Sequence, residues 1–347
     1  MSGFFWNIRG FNKHNKQKVV REWIKKTSLQ FGCVLETRVI ESKVPVIFAK
    51  VFKDWQMVSN YEFNRLGRIW VVWSSSVQLQ VIFKSSQMIV CLVRVEHYDV
   101  EFICSFIYAS NFVEERKKLW QDLHNLQNSV AFRNKPWLLF GDFNETLKME
   151  EHSSYAVSPM VTPGMRDFQI VVRYCSLEDM RTHGPLFTWG NKRNEGLICK
   201  KLDRVLLNPE YNSAYPHSYC IMDSGGCSDH LRGRFHLRSA IQKPKGPFKF
   251  TNVIAAHPEF MPKVEDFWKN TTELFPSTST LFRFSKKLKE LKPILKDLSR
   301  NNLSDLTRRA TYAYEELCRC QTKSLTTLNP HDIVDESLAF ERWEKVA

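Results

Sequence analysis

Short, almost continuous apolar runs alternate with helical periodicities over the first two thirds of the chain. Apolar and β-branched runs of this length, bounded by polar or glycine-bearing clusters, predict strands at Gly3–Ile8, Cys33–Leu35, Ile69–Trp73, Val77–Phe83, Met88–Val95 and Val100–Tyr108. Further strands are predicted at Leu202–Leu206, Ser218–Met222 and Gly233–Leu237. Val77, Leu79, Val81 and Phe83 alternate with polar or smaller residues, as a strand with one solvated face requires, whereas Phe102–Tyr108 is apolar nearly throughout and reads as a central strand. Helical spacing appears at Lys16–Thr27, Val113–Ser129 and Gly164–Cys175. In the first of these Val19, Val20, Trp23 and Ile24 form one face and Lys18, Arg21, Lys25 and Lys26 the other. Strands in series, interrupted by helices able to cover them, predict two packed sheets in an α/β sandwich.

The pattern changes after Lys243-Pro-Lys-Gly-Pro247, a punctuated stretch that makes a domain boundary, with residues 1–242 before it and 243–347 after it. Leu288, Leu291, Leu295 and Leu298 recur at three- and four-residue spacing within Ser285–Ser299. Leu303, Leu306, Ala310, Ala313 and Leu317 repeat the spacing after Asn301-Asn302. These positions predict amphipathic helices, a hairpin whose stripe packs on itself, on the main domain or on a partner. The chain shows no internal repeat and no low-complexity tract.

Charge adds a direction to this picture. The net charge is +13, and residues 1–244 hold 33 Lys/Arg against 23 Asp/Glu while 245–347 hold 17 against 14. Ten of the thirteen excess positive charges therefore fall in the first part, which favours a polyanion-facing catalytic domain over a basic tail. With 43% hydrophobic and 13% aromatic residues the chain is rich enough in apolar side chains for a sizeable core. The nine cysteines form no CxxC pair, so reduced thiols without structural zinc are expected, in a nuclear or cytoplasmic, non-secreted protein. A polar Trp-Asn-Ile-Arg-Gly segment begins within a few residues of Met1, unlike a signal peptide, and no apolar run approaches the ~20 residues a membrane span needs.

Several predicted strands end in chemically capable side chains. In WLLFGDFNETL, Trp137–Leu147, an apolar run breaks at Gly141 into Asp142 and Asn144, two residues apart. Either both side chains bond their own backbone in an Asx turn, or, on an extended backbone, they point to one side and orient a water and a phosphate oxygen. Other ends offer Asn7, Glu36, Tyr108 and Asp203, and Ser228-Asp229-His230 offers an acid beside an imidazole. Singly, each reads as a solvated cap, a surface histidine or a core aromatic with a wet hydroxyl. Together they are the set that phosphodiester hydrolysis needs: an oxygen-rich site for a hard cation, a group to orient and deprotonate water, and donors for charge developing on phosphorus.

WNIRG, LETRV, IYASN, GDFN, the FTWGN–KLDRV pair and SDH occur in the order found in the endonuclease/exonuclease/phosphatase superfamily, and the chain from Phe4 to Leu237 resembles that superfamily. The connecting text GRIWVVW, EEHSS, PGMRDFQ and GPLFTWGNKR is similar to the apurinic/apyrimidinic-type endonuclease domain of plant LINE, or non-LTR, retroelements. The tail resembles the segment that precedes a reverse transcriptase there, and the chain ends at Ala347 before any polymerase motif, so retrotransposition by this chain alone is not expected. The resemblance implies a DNase I-like four-layer α/β/β/α sandwich with two mostly antiparallel sheets and a C-terminal helical extension. It implies a Mg2+ ion, with Mn2+ able to replace it, at Glu36 with Asn7 beside it and Asp229 as a further acid. Asp142 is implied to deprotonate the attacking water and Asn144 to hold that water or a phosphate oxygen. His230 is implied to donate to a nonbridging oxygen, with Asp203 orienting the imidazole and Tyr108 touching the scissile phosphate. Ser228, Thr188 and Trp189 are implied to lie at the substrate surface. After SDH the family commonly continues with a small residue and proline, whereas this chain runs Leu231-Arg-Gly-Arg234, where Arg232 and Arg234 offer further phosphate contacts or mark drift. The expected activity is metal-dependent nicking of DNA that leaves a 3′-hydroxyl. Its alternatives are a nucleic-acid-binding remnant without catalysis and a small-molecule phosphoesterase.

Overall fold

The computed structural model describes residues 1–95, 100–156, 159–193, 195–237, 258–271, 280–302 and 304–346. The expected boundary at 243–247 and Leu303 lie outside these residues. In chain order the strands are β1 (Ser2–Asn7), β2 (Phe31–Leu35), β3 (Trp55–Ser59), β4 (Ile69–Ser74), β5 (Gln78–Lys84), β6 (Met88–Val95), β7 (Val100–Tyr108), β8 (Trp137–Asp142), β9 (Glu178–Asp179), β10 (Thr182–His183), β11 (Trp189–Gly190), β12 (Cys199–Lys200), β13 (Asp203–Leu207), β14 (Tyr219–Asp223) and β15 (Arg232–His236). The helices are α1 (His14–Thr27), α2 (Val44–Val51), α3 (Val113–Asn128), α4 (Pro163–Tyr174), α5 (Pro209–Ala214), α6 (Phe260–Lys269), α7 (Thr280–Asn302), α8 (Ser304–Thr327) and α9 (Pro330–Val346).

Two large sheets result, ordered β10-β14-β15-β1-β2-β4-β3 and β5-β6-β7-β8-β13-β9, and most neighbouring strands in each run antiparallel. The exceptions are β1 with β2, β10 with β14, and β7 with β8. One face of each sheet packs on the other through aromatic side chains: Phe5 stacks on Phe140 at 5.5 Å, and Phe140 meets Phe235 at 5.0 Å. The outer face of the second sheet buries Ile103, Ile107, Trp137 and Leu139 against Leu119, Leu123 and Phe168 of α3 and α4. α1 turns Val20, Trp23 and Ile24 inward, with Trp23 edge-on to Phe4 and Trp6 of β1, and Val19 is half-buried. This is the expected α/β/β/α arrangement, each layer closed because sheet and helix share one apolar face.

The strand at 77–83 departs from expectation. β5 is an edge strand. The predicted face holds at Val77 and Leu79, which pack on the core, and breaks at the register shift between Val81 and Phe83, where Val81 and Ile82 are both exposed. Chain contacts divide the protein into two units, Met1–Ala240 with Glu316–Glu341, and Ile241–Glu315 with Arg342–Ala347. In the second unit Leu291 and Leu298 of α7 are buried as the leucine spacing predicts, while Leu288 is exposed. None of the nine cysteines forms a disulfide, and among the described residues no helix is long and apolar enough to cross a membrane.

Candidate active site

Strand register assembles the site. Tyr108 at the end of β7 pairs with Asp142 at the end of β8, and Asp142 pairs in turn with Asp203 at the start of β13. In the opposite sheet Asn7 ends β1 beside Leu35, the residue before Glu36. The sheets face each other, and Asn7 Nδ2 donates across the gap to Asp142 Oδ2 at 2.8 Å. Gly141 lets β8 lie this close to β7 at the site: its φ is +139°, and a Cβ there would lie 2.0 Å from the carbonyl oxygen of Ile107 on β7.

Both readings of GDFN coexist in one carboxylate. Asp142 Oδ1 accepts from the backbone N–H of Asn144 at 2.9 Å, closing an Asx turn, while Oδ2 faces Asn7 and His230. Asn144, at positive φ, donates through Nδ2 to Ala109 O at 2.7 Å and is therefore partly engaged in holding its own turn. His230 arrives from the loop before β15. Its Nδ1 lies 2.9 Å from Asp203 Oδ2, and its Nε2 lies 3.3 Å from Asn7 Nδ2 and 3.8 Å from Asp142 Oδ2. Asn7 Oδ1 accepts from Arg9 N at 3.1 Å, which fixes the amide so that its NH2 group faces the acid and the imidazole.

Burial sets the electrostatics. Asp142 is 0% exposed and His230 4%. Burial works against the imidazolium, but the carboxylates of Asp203 and Asp142 outweigh it and push His230 up to about 10. Burial also pushes Asp142 up, to about 7, against the pull of His230 and the hydrogen bonds from Asn7 and Asn144 N. Tyr108 is raised by burial and by the nearby Glu36 and Asp142, so its hydroxyl stays protonated as a donor, and Arg68 lies 5.9 Å over its ring. Burial opposes ionisation of Asp229, yet His230 and Arg9 hold it below the usual carboxylate range.

The structure brings Asp142, Asp203, His230 and Asn7 into one network, with Tyr108 and Asn144 on its margin. Glu36 and Asp229 are engaged in arginine pairs: Glu36 with Arg38, and Asp229 with Arg9 and with Trp189 Nε1 at 2.9 Å. Two residues expected at the substrate surface turn inward instead. Thr188 is buried and donates through Oγ1 to Asp203 Oδ2 at 2.8 Å, and buried Ser228 donates to Asn7 O at 2.7 Å while accepting from His230 N at 3.2 Å. Each hydroxyl orients a member of the network, because a buried hydroxyl must find its partners locally. Arg232 and Arg234, read above as further phosphate contacts or as drift, are tied to Asp223, and Arg232 also lies over Trp6 and Trp23. Arg9 and Arg38 were within view in WNIRG and LETRV, yet no sequence pattern announces that Arg9 meets an acid 220 residues away.

Asp142, Asp203 and His230 each offer one ligand atom, and these atoms lie within 4.8 Å of one another. Among the described residues no other group of three such side chains does so.

Residues 4–230 match the Endonuclease/Exonuclease/phosphatase family, well over half the chain. No curated protein sequence matches. Among solved structures, an AP endonuclease from Leishmania major superposes with a TM-score of 0.53 at 10% identity, covering 69% of this chain and 88% of that one. One from Archaeoglobus fulgidus gives 0.51 at 16% identity, covering 69% and 100%. The endonuclease domain of TRAS1, a telomere-specific non-LTR retrotransposon, gives 0.48 at 12% identity, covering 69% and 99%. The first two likenesses are likenesses of fold, and that fold is DNase I-like. The family match opens three residues before Asn7 and closes on His230, bracketing the strand ends that converge here: the chain belongs to the endonuclease/exonuclease/phosphatase family.

Proposed function

We propose that this chain is a metal-dependent phosphodiesterase that nicks one strand of DNA and leaves a 3′-hydroxyl. The observation that carries the reading is the buried network of Asp203, His230, Asp142 and Asn7, drawn from both sheets: His230 lies between the carboxylates of Asp203 and Asp142, and Asn7 donates to Asp142. A protonated imidazole held between two carboxylates is a donor prepared in advance for a charged oxygen. Asp142, raised towards neutrality, accepts a proton from water as that oxygen attacks phosphorus, and the P–O3′ bond breaks with its electron pair leaving on O3′, which takes a proton from solvent water to become the 3′-hydroxyl. His230 Nε2–H donates to a nonbridging oxygen while Asp203 holds the ring through Nδ1. Since Asp142 is wholly buried, water reaches it only after a neighbouring side chain shifts. Tyr108, a protonated hydroxyl at the margin, supplies a second donor to the phosphate.

The donors around this network suit a hard cation. Glu36, Asp229 and Asn7 present oxygens, and Asp229 Oδ1 is buried with no hydrogen-bond partner. Oxygen donors of this kind match magnesium, with manganese a substitute, rather than a thiolate-seeking metal. His230 is a poorer ligand, because Nδ1 is committed to Asp203 and its raised pKa keeps the ring protonated. Glu36, Asn7 and Asp229 would hold the ion, which when bound supplies Lewis-acid stabilisation of phosphoryl oxygen charge.

Excess positive charge in residues 1–244 supports DNA as the substrate, and the ordered motifs from WNIRG to SDH support a plant LINE-type retroelement origin. The test is purified protein with supercoiled plasmid and magnesium beside an Asp142→Ala control. Relaxed circles from the parent alone support the proposal. DNA binding without cutting by either protein would leave a binding remnant, and turnover of a soluble phosphoester alone would move the substrate class.

A further inference from the structure

Helices α8 and α9 do more than extend the chain. Their residues Glu316–Glu341 belong to the same unit as Met1–Ala240, and they meet it at the segment that delivers His230. That segment runs Ser224-Gly225-Gly226-Cys227-Ser228-Asp229-His230, and two consecutive glycines give a backbone little shape of its own. Gln321 of α8, 1% exposed, supplies the shape. Its Oε1 accepts from Gly226 N at 2.9 Å and its Nε2 donates to Ser228 O. Cys318 O, one turn earlier, accepts from Ser224 Oγ at 2.7 Å. From α9, buried Glu336 pairs with Lys192 Nζ at 2.8 Å, and the same ammonium reaches Ser228 O at 3.4 Å. Leu325 joins the core between the sheets and lies 3.2 Å from where a Cβ on Gly190 would stand.

A helix pair serving only as an apolar cover has no use for a buried amide and a buried carboxylate. Such groups are costly unless partnered: the amide's partners are this loop's backbone, and the carboxylate is shared between Lys192 and the Ser324 hydroxyl of α8. Ser228 passes the constraint inward: Gln321 holds its carbonyl, while its hydroxyl joins Asn7 O to His230 N.

We propose that Gln321 is a positioning residue for the reaction inferred above, holding the Gly226–Ser228 backbone so that His230 stays between Asp203 and Asp142, with the Glu336–Lys192 pair as a second tie. The inference rests on the nuclease reading for its kinetic arm only. In the full chain, Gln321→Ala and the isosteric Gln321→Glu are compared with the parent by plasmid-nicking kcat and KM, by hydrogen exchange at the Gly226 amide and by unfolding midpoint. The expected result for Gln321→Ala is a kcat lower by about tenfold to a hundredfold with KM for DNA little changed, because displacement of a reacting group by ~1 Å has that effect. Its Gly226 amide should exchange at least about tenfold faster, reporting local opening. Gln321→Glu keeps an acceptor for Gly226 and should keep that amide protected, yet lose kcat because a carboxylate then faces the Ser228 carbonyl. A folded Gln321→Ala with parental kcat, or with parental Gly226 exchange, overturns the proposal. If Gln321→Ala does not fold, parental kcat in Gln321→Glu overturns it. If the parent cuts no DNA, the nuclease reading fails by itself, and faster Gly226 exchange in Gln321→Ala still supports the tie.

Discussion

At the scale of single residues, the proposed chemistry turns on an imidazole that two carboxylates keep charged. Removing it should act on the transition state more than on binding: His230→Ala is expected to lower kcat by roughly 10²- to 10⁴-fold while the Kd for DNA stays nearly constant. Equal losses in rate and affinity would reject the assigned role. Activity should rise with pH as Asp142 deprotonates through about 7 and fall as His230 discharges through about 10, and Asp203→Asn should move the upper limb to lower pH, all readable in a kcat/KM profile. The sign for stability follows from the same shift. His230 binds its proton more tightly folded than unfolded, so its stabilising contribution is complete below the unfolded value of ~6.5 and is lost as pH rises through about 10. The melting temperature of the parent should therefore decline between those limits. Asp142, Asp203 and His230 were legible as residues because an acid or imidazole at the end of an apolar run is chemically out of place. The inward turn of Thr188 and Ser228 was not, since a hydroxyl's direction depends on which backbone faces it.

At the scale of elements, Gly141 shows how tightly the strands meet. Gly141→Ala places a methyl group against the Ile107 carbonyl at a φ that L residues rarely adopt, and should cost at least about 1–3 kcal/mol, measurable by urea unfolding. Because Asp142 is the next residue, the nicking rate should fall as well. The buried strands β6 and β7 follow directly from their apolar runs. The edge strand β5 follows its alternation only through Leu79, because a register shift between Val81 and Phe83 then turns Val81 out to solvent. Helix α2 has no counterpart among the predicted helices; its Pro45 lies in the first turn, where it removes only an N–H that has no partner within the helix. The short strands β9 to β12 carry too few residues to show any periodicity.

At the scale of the whole molecule, the charge distribution makes a prediction that no single contact does. DNA affinity should fall steeply with salt, the slope of log K against log salt being about −0.9 for each phosphate neutralised. Half-exposed Arg9 and Arg38 stand beside the site, and replacing either with Ala should make that slope shallower by about 1 if it touches phosphate. A slope near zero in the parent would remove DNA backbone contact from the proposal.

The sequence by itself determined the sheet-forming runs, the covering helices and the polar strand ends, because burial period and side-chain chemistry are local properties of a chain. Tertiary structure alone decided that β1, β8 and β13 would bring Asn7, Asp142 and Asp203 abreast of His230, and that Gln321 would reach back to Ser228 across 93 residues. Convergence of that kind depends on register and on the facing of two sheets, and neither is written at any one position.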